Sequence, residues 1–276
     1  GMSQDKIHFI GGGQMAEAII KALIKGNSIA ANAISVSDID SARLQLLHRH
    51  YGVQTSDVID IDLSTAKIIV LAVRPQDNLA EVGRIIQAKA APDSIVLSLI
   101  AGVKIAQLRE FTGHDFPIVR VIPNTLTDTG YGYSGVAIDE FAASKKVTEN
   151  TLLNTFLNGF GKVEYLDESL IDIFTGFGVA GPNYVYYFIE SLADAGVLAG
   201  LSRKQAWKIA LENVKGAAAM LEQTELHPRQ LLDINNSAGG VGIHGLYELN
   251  NSDFAAGLQR SVVAAVKRTR ELGERR

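Results

Sequence analysis

The 276-residue sequence contains no cysteine. That absence excludes disulfides, thiolate metal ligands and a cysteine nucleophile, and it fits a reducing compartment such as the cytoplasm. The sequence also lacks a secretory signal pattern at its start and any apolar run long enough to span a bilayer. Its net charge of −4 provides no basic surface for nucleic acid. We therefore predict a cytoplasmic protein that binds neither nucleic acid nor membrane.

Histidines are few, and no metal site is predicted. The six histidines are scattered along the chain. His48 and His50 are two residues apart, and such positions face different sides of a helix. They are therefore poorly placed to share a metal ion.

The first 165 residues alternate short β-rich runs with helical patterns, which predicts a doubly wound, mostly parallel sheet of the Rossmann type. Predicted strands cover residues 6–10, 33–37, 68–73, 94–99, 118–122 and 135–138. Predicted helices cover residues 14–25, 41–51, 78–90, 104–111 and 143–159. The β pattern then disappears, so we predict a nucleotide-binding domain over 1–165 and an all-helical domain over 166–276.

The helix predicted over residues 184–201 is apolar on nearly every side. A helix of that kind is buried, and too little chain remains in the second domain to surround it. We favour burial against a second copy of the chain, which predicts a homodimer. Packing of this helix between the two predicted domains is the alternative.

A glycine pattern lies directly between the first predicted strand and the first predicted helix. Gly11 permits a tight turn, Gly13 lets the backbone approach a pyrophosphate, and Ala16 keeps helix and strand close. The N-terminus of the following helix attracts an anion. In this context the pattern predicts a dinucleotide site.

The end of the second predicted strand bears on the choice of nucleotide. Asp38 stands where an acidic residue holds the ribose hydroxyls of NAD and repels the 2′-phosphate of NADP, so it favours NADH. Ser37, Ser41 and Arg43 lie nearby and are able to meet a phosphate, which leaves NADPH open. Asp38 as an ordinary residue at a helix start is a further alternative.

Three later strand ends carry small or polar residues, as expected for the wall of a ligand cleft. The segments are 72–76, which includes Ala72, Val73, Arg74 and Pro75; 98–102, which includes Ala101; and 122–125, which includes Asn124.

Proton donors typical of dehydrogenases are missing. No tyrosine is followed four residues later by lysine, and no lysine lies between Lys162 and Lys204, where β-hydroxyacid dehydrogenases place theirs. Hydride addition to a carbon–nitrogen double bond fits this absence, because an iminium arrives already protonated. Orientation against the nicotinamide then supplies much of the rate.

Several motifs occur together in the order found in one enzyme family. They are the segments 9–15, 71–75, 101–103, 123–125, 181–184, 189–194, 227–231 and 237–240. Over essentially its whole length the chain resembles pyrroline-5-carboxylate reductase. The resemblance implies reduction of 1-pyrroline-5-carboxylate to proline with NAD(P)H, in dimers that in some members assemble further into decamers.

The resemblance also assigns site residues. The resemblance and the strand-end loops together predict the residues that contact the cofactor. They are Gly11, Gly12, Gly13, Gln14, Met15, Ser37, Asp38, Ala72, Val73, Arg74, Pro75, Ala101 and Asn124. The resemblance implies that a glycine-rich loop holds the substrate carboxylate on backbone N–H groups; this loop comprises Ser237, Gly239, Gly240, Val241 and Gly242. No catalytic side chain is assigned with it.

This sequence departs from the family pattern at the substrate loop. The family has a threonine whose hydroxyl contacts the ring nitrogen, and the matching position here is Gly242. The hydroxyls of the family's Ser-Gly-Ser run are absent from Gly178, Val179 and Ala180, and Ala238 replaces a proline. Two alternatives therefore stay open: a paralogue that reduces another cyclic imino acid, and a non-catalytic dinucleotide-binding protein that acts by interaction.

Overall fold

The computed structural model describes residues 5–58, 61–113 and 115–274. The chain forms two compact units, the first comprising Gly1–Val179 with Val266–Arg276 and the second Ala180–Ala265. The predicted boundary after residue 165 falls inside the first unit. The ring of Phe174 lies 2.7 Å from where a Cβ on Gly135 would stand, so segment 166–179 packs closely on the sheet.

A single eight-stranded sheet occupies the described part of the first unit. Its strands are β1 (Lys6–Ile10), β2 (Ile34–Ser37), β3 (Gln54–Ser56), β4 (Ala66–Leu71), β5 (Ile95–Ser98), β6 (Ile118–Pro123), β7 (Tyr133–Ile138) and β8 (Lys162–Tyr165). They are ordered β3-β2-β1-β4-β5-β6-β7-β8. Neighbours pair in parallel except β6 and β7. The carboxyl ends of β1, β2, β4 and β5 therefore meet at one edge.

Helices cover both faces of this sheet and make up most of the second unit. In chain order they are α1 (Gln14–Lys25), α2 (Ser41–Tyr51), α3 (Leu79–Lys89), α4 (Ile105–Thr112), α5 (Glu140–Ser144), α6 (Thr151–Asn158), α7 (Ile171–Phe174), α8 (Gly181–Ala199), α9 (Arg203–Thr224), α10 (Pro228–Ile234), α11 (Val241–Asn250) and α12 (Phe254–Glu274). A π-helical turn, Thr175–Val179, precedes α8. The predicted architecture is confirmed.

The core consists of two apolar layers, one on each face of the sheet. Side chains of α1, α2 and α6 pack on one face, with Phe9 and Phe156 fully buried. Side chains of α3, α4 and α7 pack on the other, with Ile69 and Ile118 fully buried. Burial on both faces explains the apolar run from Ile68 to Leu71 in β4.

One predicted helix is wrong. Residues 143–159 form the end of α5, a 3₁₀ turn at Val147–Glu149, and α6. Lys146 adopts a φ of +56°, which a continuous right-handed helix excludes. The Asn150 side chain then accepts the Leu153 N–H at 2.8 Å and starts a new helix. The short strands β3 and β8 were also not among the predicted strands; each has only three or four residues.

Candidate active site

The glycine turn between β1 and α1 has the geometry needed to approach an anion. Gly11 has a φ of +106°, which favours glycine, and its N–H donates to the Ser37 carbonyl at 2.8 Å. A Cβ on Gly13 would meet no atom within 4 Å, so the backbone there is open on that side. Gly13 is also the N-cap of α1, and no side chain caps that helix. Its first N–H groups are left for a bound group.

About half of the helices in the described chain start with a side-chain cap, and α1, α4, α7, α8 and α11 do not. Six helices begin at a residue whose side chain accepts a backbone N–H of the first turn; these residues are Asp40, Asn78, Asp139, Asn150, Ser202 and His227. By contrast, α1 and α11 begin at Gly13 and Gly240, without a side-chain cap. These two glycine-led helices are the ones that the sequence assigns to cofactor and substrate.

A cleft of about 550 Å³ opens at the carboxyl edge of the sheet beside the glycine turn. Seven predicted cofactor residues line it: Gly11, Gly13, Ser37, Asp38, Ala72, Val73 and Arg74. The volume and the open glycine turn fit part of a dinucleotide. Lining residues that the sequence reasoning did not assign include Ile39, Asp40, Asp77, Asn78 and Glu81. Their position in the loop after β2, or in the loop and first helical turn after β4, is the signal that would have found them.

Other predicted cofactor residues lie outside this lining. Gln14 is exposed and Met15 packs against the core. The backbone N–H of Gly12 donates to the side chain of Asp38. Pro75 and Ala101 lie in the turns that follow β4 and β5. Asn124 is buried, and its side-chain oxygen accepts the N–H groups of residues 126 and 133. Asn124 therefore shapes the loop after β6.

Ser37 lines the cleft, but its hydroxyl is hydrogen-bonded to the buried side chain of His8. The Ser37 side chain is fully buried, and its Oγ lies 2.9 Å from His8 Nε2. On the other side of the ring, His8 Nδ1 lies 2.6 Å from Ser35 Oγ. Burial lowers the pKa of His8 to about 4, so the imidazole is neutral at physiological pH. The possibility that Ser37 meets a phosphate through its hydroxyl is therefore not supported.

Asp38 and Arg43 hold the Gly12 peptide from its two ends. The Gly12 N–H donates to Asp38 Oδ2 at 2.7 Å, and Arg43 Nε donates to the Gly12 carbonyl at 2.7 Å. Arg43 also pairs with Glu17 Oε1 at 2.7 Å. Tyr51 donates its hydroxyl to the other Glu17 oxygen at 2.7 Å. The Arg43 guanidinium is thus bound to Gly12 and Glu17, and the sequence pattern did not indicate these contacts.

The protonation states in this cluster follow from the same contacts. The Tyr51 hydrogen bond is the largest influence that lowers the pKa of Glu17, and the Arg43 guanidinium adds to it. Burial, together with the Glu17 carboxylate, raises the pKa of Tyr51 to about 12. At neutral pH Glu17 is ionised and Tyr51 keeps its proton.

The predicted substrate loop turns sharply into α11. Gly239 adopts a φ of +68°, and the Gly240 N–H donates to the Ser237 carbonyl at 3.1 Å. Val241 is almost fully exposed. His244 Nδ1 donates to the Gly240 carbonyl at 2.7 Å, because a carbonyl oxygen only accepts. The loop therefore presents backbone N–H groups at a glycine-led helix start.

A neighbouring side chain fills the space next to Gly242. The Asn236 side-chain oxygen stands where a Cβ at position 242 would be placed. Asn236 Nδ2 donates to the Leu232 carbonyl, which orients the oxygen toward Gly242. A larger residue at position 242 therefore requires Asn236 to move.

The second unit exposes a large apolar surface. A cavity of about 830 Å³ is lined by Tyr184, Tyr187, Phe188, Phe254 and Leu258, among others. Tyr187 is 74% exposed although it lies on the most apolar helix, α8. Exposed apolar surface of this extent is typical of a protein interface.

The described residues contain neither a membrane-spanning helix nor a cluster of metal-ligating side chains. No helix in residues 5–58, 61–113 and 115–274 is long and apolar enough to cross a membrane. Within the same ranges, no three His, Asp or Glu side chains gather where they could hold a metal ion.

The parallel sheet, the glycine turn and the cleft at its carboxyl edge define a dinucleotide-binding protein of the oxidoreductase class. A family profile described as "NADP oxidoreductase coenzyme F420-dependent" matches residues 6–102, and one described as "Pyrroline-5-carboxylate reductase dimerisation" matches residues 168–272. The chain belongs to the pyrroline-5-carboxylate reductase family, as its motifs predicted.

Relatives match over nearly the whole chain. A pyrroline-5-carboxylate reductase of Synechocystis is 34% identical over 273 residues, covering 98% of this chain and 99% of the relative. That of Arabidopsis thaliana is 32% identical over 269 residues, covering 98% and 96%. The crystal structure of a Plasmodium falciparum pyrroline carboxylate reductase with NADP bound superposes with a TM-score of 0.80. It is 29% identical and covers 99% of this chain and 100% of that one.

Proposed function

We propose that this protein transfers hydride from NAD(P)H to the carbon–nitrogen double bond of 1-pyrroline-5-carboxylate and forms L-proline. The full-length match to pyrroline-5-carboxylate reductases carries this proposal. The open glycine turn, the uncapped start of α1 and the cleft beside them support the cofactor assignment. A cytoplasmic location, predicted from the lack of cysteine, belongs to the same proposal.

In this proposal the chain binds and orients its two reactants. A bound dihydronicotinamide supplies the hydride, and the protonated imine needs no further proton from the protein. Backbone N–H groups at the start of α11 hold the substrate carboxylate, because a helix N-terminus favours negative charge. Gly239 and Gly240 let that backbone close on a small anion. The rate then derives chiefly from proximity and orientation.

We propose NADH as the preferred cofactor and the homodimer as the basic assembly. Carboxylates outnumber cations along the cleft beside Asp38, which disfavours the extra phosphate of NADPH. The apolar cavity on the second unit provides a surface for a second copy. Residues 166–276 would form the dimerisation domain, and assembly of dimers into a decamer is the larger alternative.

Purified protein mixed with 1-pyrroline-5-carboxylate should consume NADH, followed by absorbance at the nicotinamide band. NADPH in parallel should react with a lower kcat/KM. Formation of L-proline, measured by chromatography, confirms the product. Cofactor binding without consumption would contradict the proposal and would favour the non-catalytic alternative.

A second candidate is reduction of a different cyclic imino acid, and Gly242 favours it because the position lacks a hydroxyl for the ring nitrogen. The six-membered homologue, 1-piperideine-6-carboxylate, is a suitable competitor in the same assay. A higher kcat/KM for that compound would identify the second candidate.

Restoring a hydroxyl at position 242 should raise kcat/KM for 1-pyrroline-5-carboxylate, provided that Asn236 is shortened as well. Gly242→Thr alone places its Cβ on the Asn236 oxygen, so we expect no gain from the single variant. Against an Asn236→Ala background, Gly242→Thr should gain about 10-fold, as a hydrogen bond to a charged nitrogen contributes about 1.5 kcal/mol. Steady-state kinetics of the wild type, the two single variants and the double variant measure this effect as a double-mutant cycle.

One control variant and one contradicting result define this test. Asn235→Ala alters an exposed neighbour and should leave kcat/KM unchanged. Equal rates for Asn236→Ala with and without Gly242→Thr would argue that position 242 does not face the substrate nitrogen.

A further inference from the structure

The adenosine end of the cleft, beside Asp38, contains a cation whose charge is already neutralised. Arg43 lines the cleft, yet its Nη2 lies 2.7 Å from Glu17 Oε1 and its Nε is bonded to the Gly12 carbonyl. Both partners of the ion pair are about four-fifths buried, with 20% and 21% of their side chains exposed. Little water is available to screen this pair, so it is stronger than a surface ion pair.

Tyr51 fixes the carboxylate that holds Arg43. Its hydroxyl donates to Glu17 Oε2 at 2.7 Å, while Oε1 receives the guanidinium. With both oxygens bonded, Glu17 has one stable orientation. Tyr51 stands at the end of α2 and Glu17 in the first turn of α1, so the contact also ties these helices together.

Charges elsewhere along the cleft do not compensate for this pairing. The carboxylates among the described lining residues are Asp38, Asp40, Asp77 and Glu81. The cations in that lining are Arg43 and Arg74, and Arg74 pairs with Asp77 at 3.1 Å. A 2′-phosphate carries up to two negative charges and is commonly held by an arginine at this end of the site. Here no lining cation is without a carboxylate partner.

We propose that Glu17 and Tyr51 set the cofactor preference by withholding Arg43 from the 2′-phosphate of NADPH. They are positioning residues, because they act through Arg43 and not by touching the cofactor. The idea rests on the proposed cofactor site and adds to Asp38 a second pair of residues that discriminates against NADPH. Glu17 therefore contributes to specificity although it does not line the cleft.

Equilibrium binding tests this without turnover. Glu17→Gln keeps the side-chain shape and removes the charge that holds Arg43. We expect the Kd for NADPH to fall about 10-fold, since an arginine–phosphate contact is a strong charge-assisted one. The Kd for NADH should change by less than about 2-fold, since its ribose hydroxyls are neutral. Nicotinamide fluorescence measures both Kd values. Tyr51→Phe should change the ratio of the Kd values for NADPH and NADH in the same direction as Glu17→Gln, but by a smaller factor.

Two probes isolate the phosphate, and one variant isolates the charge. 2′,5′-ADP should bind Glu17→Gln more tightly than the wild type, whereas 5′-ADP should not. Glu81→Gln also removes a negative charge from the cleft, but Glu81 pairs with Arg84 and not with Arg43. It should shift the NADPH-to-NADH ratio much less.

Three outcomes would overturn the proposal. An unchanged ratio of the two Kd values in Glu17→Gln would show that Arg43 is not withheld. If Glu17→Gln weakens the binding of NADPH and NADH equally, Glu17 only supports the loop. If Glu81→Gln changes the ratio of the two Kd values as much as Glu17→Gln does, the preference follows from the overall charge of the cleft. A wild-type protein that binds both cofactors but reduces no imine would contradict the proposed reaction and leave this inference standing.

Discussion

Replacing Gly11 with alanine is expected to lower the free energy of unfolding by about 3–5 kcal/mol and to abolish cofactor binding. Gly11 adopts a φ of +106°, where an L side chain is strained. The added Cβ would lie 2.6 Å from the Ala72 carbonyl oxygen and 2.7 Å from its carbon. These are backbone atoms at the end of a central strand, so they cannot turn away as a side chain would. Strain and overlap together give the expected cost.

Gly13→Ala is the matched control, because it adds the same methyl group two residues later in the same turn. Its φ of −76° is ordinary and its Cβ would meet no atom within 4 Å. We expect the free energy of unfolding to stay within about 0.5 kcal/mol of the wild type. Cofactor affinity should still fall by about 10-fold or more, because the methyl group stands where the pyrophosphate approaches.

Urea unfolding and cofactor titration of both variants separate the two roles. Gly11→Ala protein with wild-type stability would contradict the close packing of the turn against β4. Wild-type affinity in Gly13→Ala would show that the pyrophosphate does not approach the backbone there.

Acidification from pH 6.5 to about 4 should remove roughly 3 kcal/mol of stability through His8 alone. Burial holds the pKa of His8 at about 4 in the folded protein, against an ordinary value of 6.5. Between these values the unfolded chain binds a proton that the folded protein does not. Stability contributed by His8 is therefore fully present above pH 6.5 and lost as the pH falls. A difference of about 2.5 pKa units corresponds to the stated energy.

The contribution of His8 is measured as a difference between variants, because several carboxylates also titrate in this range. His8→Gln should flatten the fall in free energy of unfolding between pH 6.5 and 4.5. It should cost about 1 kcal/mol at pH 7.5, since the contacts with Ser35 and Ser37 are imperfectly replaced. Identical slopes in wild type and His8→Gln would contradict a buried, neutral His8.

Local sequence patterns were sufficient to predict the strand and the helix that flank the glycine turn. The glycine turn lies where strand pattern changes to helix pattern, so both β1 and α1 were predicted with their observed bounds. Asp38 was predicted at the site because it follows directly on β2, and it lines the cleft. These features depend on neighbouring residues, whose order along the chain carries the information.

Prediction was weaker where a local pattern was interrupted. The helical pattern through 143–159 suggested one helix, but the left-handed conformation of Lys146 and the cap at Asn150 divide it. Both edge strands, β3 and β8, contain no buried residue, so no apolar pattern marks them in the sequence as one marks the equally short β2 and β5.

The amino-acid sequence by itself determined the fold class, the family and the position of the cofactor turn, because each depends on residues close together in the chain. The tertiary structure decided which of the polar side chains around that turn remain available. Arg43 is bonded to Glu17, 26 residues away, and Ser37 to His8, 29 residues away. Side chains that far apart come together only when the sheet and its helices assemble. Charge pairing and burial, which settle whether a group can meet a ligand, are properties of that assembly.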